Sequence, residues 1–276
     1  MFLVCVLLLG GCSAKFAYNN ASWLVYWYID DYVELNNDQE DMFDVMLERW
    51  LTWHKNEELP KYQRHLNDII SDLETNNINE QTIAAHRERG RQHWIRSRTH
   101  VAPDLVTLGK TLSSEQITEL FLNLEEENIE DEEEINETLA LSEQDRIDEW
   151  TEKNQKNIKK WTGRLSKEQQ ELIASFYHKF DSTGQHWLAY KREYQQQLKG
   201  VFELQERDEA FEKSLYSLIV DPERFRTQTF QTAMETNTQA STEYMLALLA
   251  ITTDKQLKKV VEEIAEYKED VIALQK

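Results

Sequence analysis

Apolar side chains recur along most of this chain at alternating intervals of three and four residues, the spacing that places them on one face of an α-helix. One such stripe runs from Tyr62 to Leu73, directly after Pro60, and another covers residues 257–274. A third series over residues 173–201 predicts a single helix of about 35 residues. No stretch alternates apolar and polar residues over a useful strand length. The pattern therefore predicts an all-α protein, an elongated bundle of several helices.

Four helix starts are marked by a Ser, Thr or Asn that stands three residues before a Gln. This is the spacing of a capping box, in which the two side chains satisfy backbone amides at the start of the helix. It predicts helices that begin near residues 36, 113, 166 and 253. The similar sequence Ser142-Glu143-Gln144-Asp145 fits either a fifth start or the middle of one long helix. Pro222 favours a helix that runs from there to about Leu249.

The first residues are typical of a bacterial lipoprotein signal peptide. Phe2 to Leu9 are wholly apolar, and Gly10, Gly11 and Cys12 follow. This run is much shorter than the ~20 residues of a spanning helix, whereas it matches the apolar centre of a signal peptide. The order Leu9-Gly10-Gly11-Cys12 resembles a lipobox, the motif whose Cys becomes acylated after cleavage. We therefore predict a signal peptide over residues 1–11 and lipidation of Cys12.

The residues after Cys12 extend this prediction to a location and a domain plan. Ser13 follows the Cys, as in lipoproteins that are sorted to the outer membrane of Gram-negative cells and face the periplasm. Residues 12–35 contain seven aromatic side chains and are expected to form an aromatic-rich first helix. We expect its Trp23, Tyr26 and Trp27 to be buried in the core, although such rings also suit a bilayer interface. Residues 36–276 are expected to form the helical bundle domain.

The balance of charged residues limits the partners of this chain. It has 51 acidic and 31 basic side chains, a formal charge of −20. Nucleic-acid binding needs a cationic surface, so we expect no nucleic-acid partner. Anionic lipid would also repel the body, so attachment to a membrane depends on the lipid anchor. Proteins of the cell envelope are the other expected partners, and the sequence does not indicate an oligomeric state.

The two cysteines narrow the chemistry that is available. Cys5 is lost with the signal peptide, and Cys12 is the only other cysteine. If Cys12 is acylated, no thiol remains for a disulfide, a metal site or a nucleophile. No other catalytic or cofactor motif stands out. We therefore expect a non-enzymatic protein without a metal ion or another cofactor.

The one strongly basic stretch of the chain covers residues 86–100. Its candidate anion-binding residues are Arg87, Arg91 and Arg98. Guanidinium groups bind phosphate and carboxylate through paired hydrogen bonds, so this helix is a candidate site for an anionic polymer of the cell envelope. The alternative interpretation is that these arginines pair with acidic neighbours inside the bundle.

Histidines supply the remaining candidate sites. His86, His93 and His100 recur every seven residues, about 10.5 Å apart along a helix, so these three cannot ligate one metal ion together. His54 lies close to Glu57 and Glu58 in sequence and suggests the acid–base pair of an envelope hydrolase. A histidine on an aromatic helix face is more often structural, so the hydrolase is the alternative to a non-enzymatic role.

Several short sequences resemble the DUF6279 family, a group of uncharacterised proteobacterial lipoproteins. They are Ala17-Tyr18-Asn19-Asn20, Trp23-Leu24 with Trp27-Tyr28, Asp30-Asp31-Tyr32-Val33, and Trp53-His54 followed by Glu58-Leu59-Pro60 and Tyr62. The resemblance covers nearly the whole chain. It implies a lipid anchor and a helical fold, with no known activity.

A weaker resemblance concerns the helix openings. The Leu-Ser-x-x-Gln sequences at residues 112 and 165 are similar to the LTxxQ motif of small periplasmic stress proteins of the Spy and CpxP type. Those proteins act as chaperones or sensor regulators. Together these features predict an outer-membrane lipoprotein that acts as a binding, scaffolding or chaperone-like module of the envelope.

Overall fold

The computed structural model describes residue 18 and residues 20–276, and this part of the chain contains helices and no β-strand. The helices in chain order are α1 (Ala21–Asp30), α2 (Asn37–Trp53), α3 (Leu59–Glu74), α4 (Glu80–Thr111), α5 (Ser114–Ala140), α6 (Glu143–Thr162), α7 (Lys167–Ser175), α8 (Gly184–Phe202), α9 (Glu209–Val220), α10 (Gln228–Ala250) and α11 (Asp254–Leu274). The predicted all-α class is confirmed. The predicted signal peptide and Cys12 lie outside the described residues.

All four predicted capping boxes are present. α2, α5, α7 and α11 begin directly after Asn36, Ser113, Ser166 and Thr253, and each of these side chains accepts a hydrogen bond from the backbone of the Gln three residues on. Ser142 caps α6 in a related way through the amide of Asp145. The ambiguity at Ser142 is therefore settled in favour of a fifth helix start.

The predicted single helix over residues 173–201 is wrong. α7 ends at Ser175, a 3₁₀ turn follows over Tyr177–Lys179, and α8 begins after a polar turn. A contact from elsewhere in the chain stabilises that turn. The side chain of Asn237 accepts from the backbone N–H of Asp181 at 2.7 Å and donates to its carbonyl oxygen at 2.9 Å. The apolar spacing continues across the break, but the helical conformation of the backbone is interrupted there.

The predicted helix from Pro222 is also corrected. Pro222–Phe225 forms a separate 3₁₀ turn, and α10 begins at Gln228 after its cap, Thr227. The Thr227 side chain accepts from the amide of Phe230. A side-chain cap that satisfies a free amide starts the helix here, and the proline lies in the turn before it.

α1 presents its large aromatic rings to both sides. Tyr26 packs against the core of α2, in edge-to-face contact with Phe43. Trp23 and Trp27 are 63% and 53% exposed. The expectation that both tryptophans are buried is wrong, because the face of α1 that meets α2 carries Tyr26 rather than the two indoles.

The helices pack in pairs across several small apolar clusters. α3 packs along α11, α4 along α9, and α5 along α8. At the contact between α4 and α9 a glycine allows close approach, because a Cβ on Gly109 would lie 2.8 Å from the side chain of Leu215 and would force it to shift. Within the described residues, no helix is long and apolar enough to cross a membrane.

The capping glutamines join helices that are distant in sequence. Gln39 and Gln116 exchange side-chain amide hydrogen bonds of 3.0 and 2.7 Å. Gln39 also donates to the carbonyl oxygen of Thr111, and Gln116 donates to that of Glu34. Each carbonyl belongs to the residue two positions before the other helix's cap. The start of α2 is therefore held against the start of α5.

Gln169 and Gln256 repeat this arrangement at the starts of α7 and α11. Their amides exchange hydrogen bonds of 3.0 and 2.9 Å, and they donate to the carbonyl oxygens of Ile251 and Arg164 respectively. Both side chains are buried. A buried amide needs partners for its donors and its acceptor, and here every partner is supplied by the other helix start or by its own cap.

We expect Gln169→Leu to lower the free energy of unfolding by about 3 kcal/mol, because buried polar groups on both helix starts lose their partner. Chemical denaturation monitored by circular dichroism measures this loss. Gln170→Leu is the matched control, since Gln170 is exposed in the same turn and should change stability by no more than about 0.5 kcal/mol. Equal losses in the two variants would contradict the structural role of the pair.

Candidate functional site

A short π-helical turn, His54–Glu58, joins α2 to α3 without a break in the helix. Pro60 lies in the first turn of α3 and has no backbone N–H to continue the α-helical pattern. The wider π-helical turn accommodates the missing donor of Pro60. In this turn the N–H of Leu59 donates to the carbonyl oxygen of His54, five residues earlier. Such turns are frequent at functional sites. Here the turn directs both His54 and Glu58 into the protein.

Glu58 is the centre of a buried ion cluster. Its side chain is fully buried, and Arg96 of α4 binds both carboxylate oxygens, from Nε at 2.8 Å and from Nη2 at 3.0 Å. Lys61 donates to Oε1 at 2.7 Å. Burial by itself raises the pKa of Glu58, but the hydrogen bonds from Arg96 and Lys61 outweigh it and lower that pKa to about 2. The carboxylate is a weak base at neutral pH and is held by two cations.

Three imidazoles continue the polar cluster away from Glu58. Arg96 Nη2 lies 2.6 Å from Nδ1 of His93, and a guanidinium can only donate. Nδ1 of His93 also lies 3.4 Å from Oε2 of Glu58, and its Nε2 lies 3.2 Å from Nδ1 of His65. The His65 ring also stacks on His86, with centroids 5.3 Å apart. His86 in turn bonds through Nε2 to the carboxylate of Asp72 at 2.9 Å.

The surroundings of His65 and His93 lower the pKa of both side chains. Burial is the largest cause that lowers the pKa of His65 to about 4, and the neighbouring rings and Arg89 add to it. Burial also lowers the pKa of His93, although Glu58 acts in the opposite direction. Within residues 18 and 20–276, no group of three or more His, Cys, Asp or Glu side chains is arranged to hold a metal ion.

His54 lies on the other side of this cluster, between two tyrosines. Its Nδ1 is 3.4 Å from the hydroxyl of Tyr18, and its Nε2 is 3.4 Å from that of Tyr62. Burial lowers the pKa of His54 to about 4, and it raises the pKa of Tyr18 to about 12. The predicted pairing of His54 with Glu58 is not a direct contact, since Glu58 bonds to Arg96 and Lys61 instead.

Beside the imidazole row lies an interhelical cavity of about 600 Å³. Its walls come mainly from α3, α4, α6, α10 and α11, with one residue, Gln169, from α7, and they are mainly aliphatic. Residues that represent the five main walls are Leu73, Ile83, Ile158, Leu248 and Val260. Met245, which is 46% exposed, marks where the cavity meets the surface. Sites for small molecules in proteins are typically of this size and apolar character.

A few polar groups interrupt the apolar lining. His86 is one of them, so the imidazole row ends at the cavity wall. Nδ1 of His86 and the hydroxyl of Tyr244 are buried and have no hydrogen-bond partner in the described part of the chain. Arg87 also lines the cavity. None of the described residues in its walls is Asp or Glu, which is notable in a chain of net charge −20.

The three candidate arginines have different environments. Arg91 binds Glu88 with two hydrogen bonds of 2.7 Å on the surface of α4. Arg98 is buried and binds Glu223 and the carbonyl oxygen of Val220, each at 2.8 Å. Arg87 donates to the hydroxyl of Thr242 at 3.1 Å and has no acidic partner among the described residues. Two of the three are thus engaged within the bundle, and the predicted site formed by all three together stays a prediction.

The sequence indicated part of this site and missed the rest. His54, Glu58, His86 and His93 were candidates from their spacing and their neighbours. His65 was not, although it contacts His93 directly. Its only sequence signal is its position one helical turn before Ile69 on the predicted stripe of α3. The cavity has no sequence signal, because its walls come from six separate helices.

The buried histidines should make the protein less stable in mild acid. The pKa of His65 is about 4 in the folded chain and 6.5 without the fold, so the unfolded chain takes up the proton first as pH falls. The contribution of neutral His65 to the free energy of unfolding is fully present above pH 6.5, and it is lost as pH falls from 6.5 towards 4. We expect His65→Asn, which keeps an acceptor towards His93, to weaken this pH dependence in denaturation curves. His178→Asn is the control, because His178 is exposed, and an equal effect there would contradict the assignment.

Comparison with known proteins gives one match. A model of a family of unknown function, DUF6279, matches residues 31–231. No curated protein and no solved structure matches the chain. The matched region includes α2 to α9, with the π-helical turn and the Glu58 cluster. Since the match covers more than half of the 276 residues, this chain belongs to the DUF6279 family.

Proposed function

We propose that this protein is a non-enzymatic outer-membrane lipoprotein that faces the periplasm, and that its helical domain binds an apolar molecule between α3, α4, α6, α10 and α11. The cavity of about 600 Å³ in that place is the observation that carries the proposal. Protein interiors are normally packed without such space. Aliphatic walls of this extent favour a hydrocarbon ligand, because each buried methylene contributes about 0.8 kcal/mol.

The ion cluster supports a binding role better than a catalytic one. A general base works best when its pKa lies near the working pH, whereas the pKa of Glu58 is lowered to about 2 by Arg96 and Lys61, which outweigh the effect of burial. His54 is 6% exposed and Glu58 is fully buried. These groups are placed to hold α3 against α4 beside the cavity.

The exposed face of α1 supports the proposed location. Trp23 stands eleven residues after Cys12, so a fully extended chain keeps it within about 40 Å of a lipid on that Cys. Trp23 and Trp27 are one helical turn apart, and both are largely exposed. Indole rings favour the bilayer interface. An acyl anchor on Cys12 would bring this aromatic face close to the membrane.

The location is tested by the intact mass of the protein isolated from the membrane fraction. We expect the mass of a chain that begins at Cys12 and carries acyl groups, because the lipobox directs both cleavage and acylation. Cys12→Ser should remain uncleaved and without acyl groups. An uncleaved, unmodified wild-type chain in the soluble fraction would overturn the proposed anchor.

Ligand binding is tested with the full chain and N-phenylnaphthylamine, an uncharged probe that fluoresces in apolar sites. We expect Met245→Trp and Val260→Trp to weaken binding at least about tenfold, since an indole in the cavity removes space for two or more methylene equivalents. Val45→Trp is the matched control, because Val45 is 63% exposed on α2 and lies outside the cavity walls.

Circular dichroism of each variant separates loss of binding from loss of fold. Met245 lies at the exposed rim, so its replacement disturbs the packing less than that of Val260. Folded Met245→Trp protein that binds the probe as well as Val45→Trp protein would contradict the cavity as the site.

A further inference from the structure

The polar groups in the cavity wall are unlike those of the rest of the surface. The chain has 51 acidic side chains, yet the described lining of the cavity contains none and contains one guanidinium, that of Arg87. Arg87 is exposed, so its charge stands at the boundary between the apolar space and water. A long apolar space with a cation at its edge fits a molecule with a hydrocarbon chain and an acidic end.

The hydrogen bonds of Arg87 leave its charge available. Its Nη2 donates to the neutral hydroxyl of Thr242 at 3.1 Å. The neighbouring arginines on α4 differ in this respect, because Arg91 binds Glu88 and Arg96 binds Glu58. A guanidinium has five N–H donors in a planar fork. Arg87 therefore retains donors with which to bind a carboxylate or a phosphate.

Two further polar atoms are placed to meet the polar part of such a ligand. Nδ1 of His86 and the hydroxyl of Tyr244 are both buried in residues that line the cavity, and neither has a partner in the described part of the chain. A buried polar atom without a hydrogen bond is costly. An oxygen atom next to the hydrocarbon chain of a ligand would accept a hydrogen bond from the Tyr244 hydroxyl, whereas Nδ1 of an uncharged His86, whose Nε2 donates to Asp72, needs a donor.

We propose that the ligand is a single-chain amphiphile with an anionic head group, whose hydrocarbon tail fills the cavity and whose head group binds Arg87 at the rim. This inference rests on the proposed function, because it assumes that the cavity is the ligand site. A carboxylate and a phosphate share the recognition chemistry that Arg87 offers. Free fatty acids and lipids with one acyl chain and a phosphate are the two sources of such a molecule.

The experiment is displacement of N-phenylnaphthylamine from the full chain by three probes of equal chain length. They are hexadecanoate, hexadecyl phosphate and hexadecanol, each used below the concentration at which it forms micelles. We expect one or both anionic probes to bind about tenfold more tightly than the alcohol, since a charge-assisted hydrogen bond is stronger than a neutral one. The tighter of the two anions identifies the source of the head group.

Substitution of Arg87 tests the assignment. Arg87→Gln should reduce the preference for the anionic probes over hexadecanol to about twofold or less, while Arg87→Lys should restore part of the preference. Arg91→Gln is the matched control one turn further along α4, and its preference should equal that of the wild type. A preference that Arg87→Gln leaves intact would overturn the proposal.

The two proposals fail in different ways. If wild-type protein binds hexadecanol as tightly as both anions, the assignment of Arg87 is wrong and the apolar site stands. If no probe binds, or if Met245→Trp has no effect on any of them, the cavity is not the ligand site and both proposals fail.

Discussion

Two pairs of glutamine side-chain amides fix where four of the helices begin, and the arrangement of the bundle depends on them. Gln39 with Gln116 joins the starts of α2 and α5, and Gln169 with Gln256 joins those of α7 and α11. An apolar contact tolerates sliding, whereas an amide pair has one register in which all partners are satisfied. Gln169 also lines the cavity, so the second pair positions one wall of the proposed ligand site.

The ion cluster around Glu58 joins the start of α3 to α4, two of the helices that line the cavity. Removing charges from water is costly, and a buried ion pair is favourable only when its geometry satisfies every group. Arg96 and Lys61 achieve this for the carboxylate. His93 contacts His65, and the His65 ring stacks on His86 in the cavity wall. The carboxylate of Glu58 is fully satisfied, whereas Nε2 of His65 and Nδ1 of His86 have no hydrogen-bond partner in the described part of the chain.

Local chemistry was predictable from the sequence, and tertiary placement was not. A capping box needs only four residues, so the starts at Asn36 and Thr253 followed from the sequence alone. The break after Ser175 depends on Asn237, which is more than 50 residues away. Helical spacing likewise predicted which residues share a face of α1 with Trp23. It did not predict which face of α1 packs against α2. The cavity could be predicted least of all, because it is formed only by the space that several separate helices leave between them.

The π-helical turn His54–Glu58 has a consequence for how α2 and α3 relate to one another. An extra residue inserted into a uniform α-helix rotates everything beyond it by about 100°, which would turn the apolar stripe of α3 away from α11. A turn with one additional residue absorbs that rotation locally. The rotation of α3 about the helix axis is therefore not fixed by that of α2. Each of the two helices can align its own apolar stripe with a different neighbour.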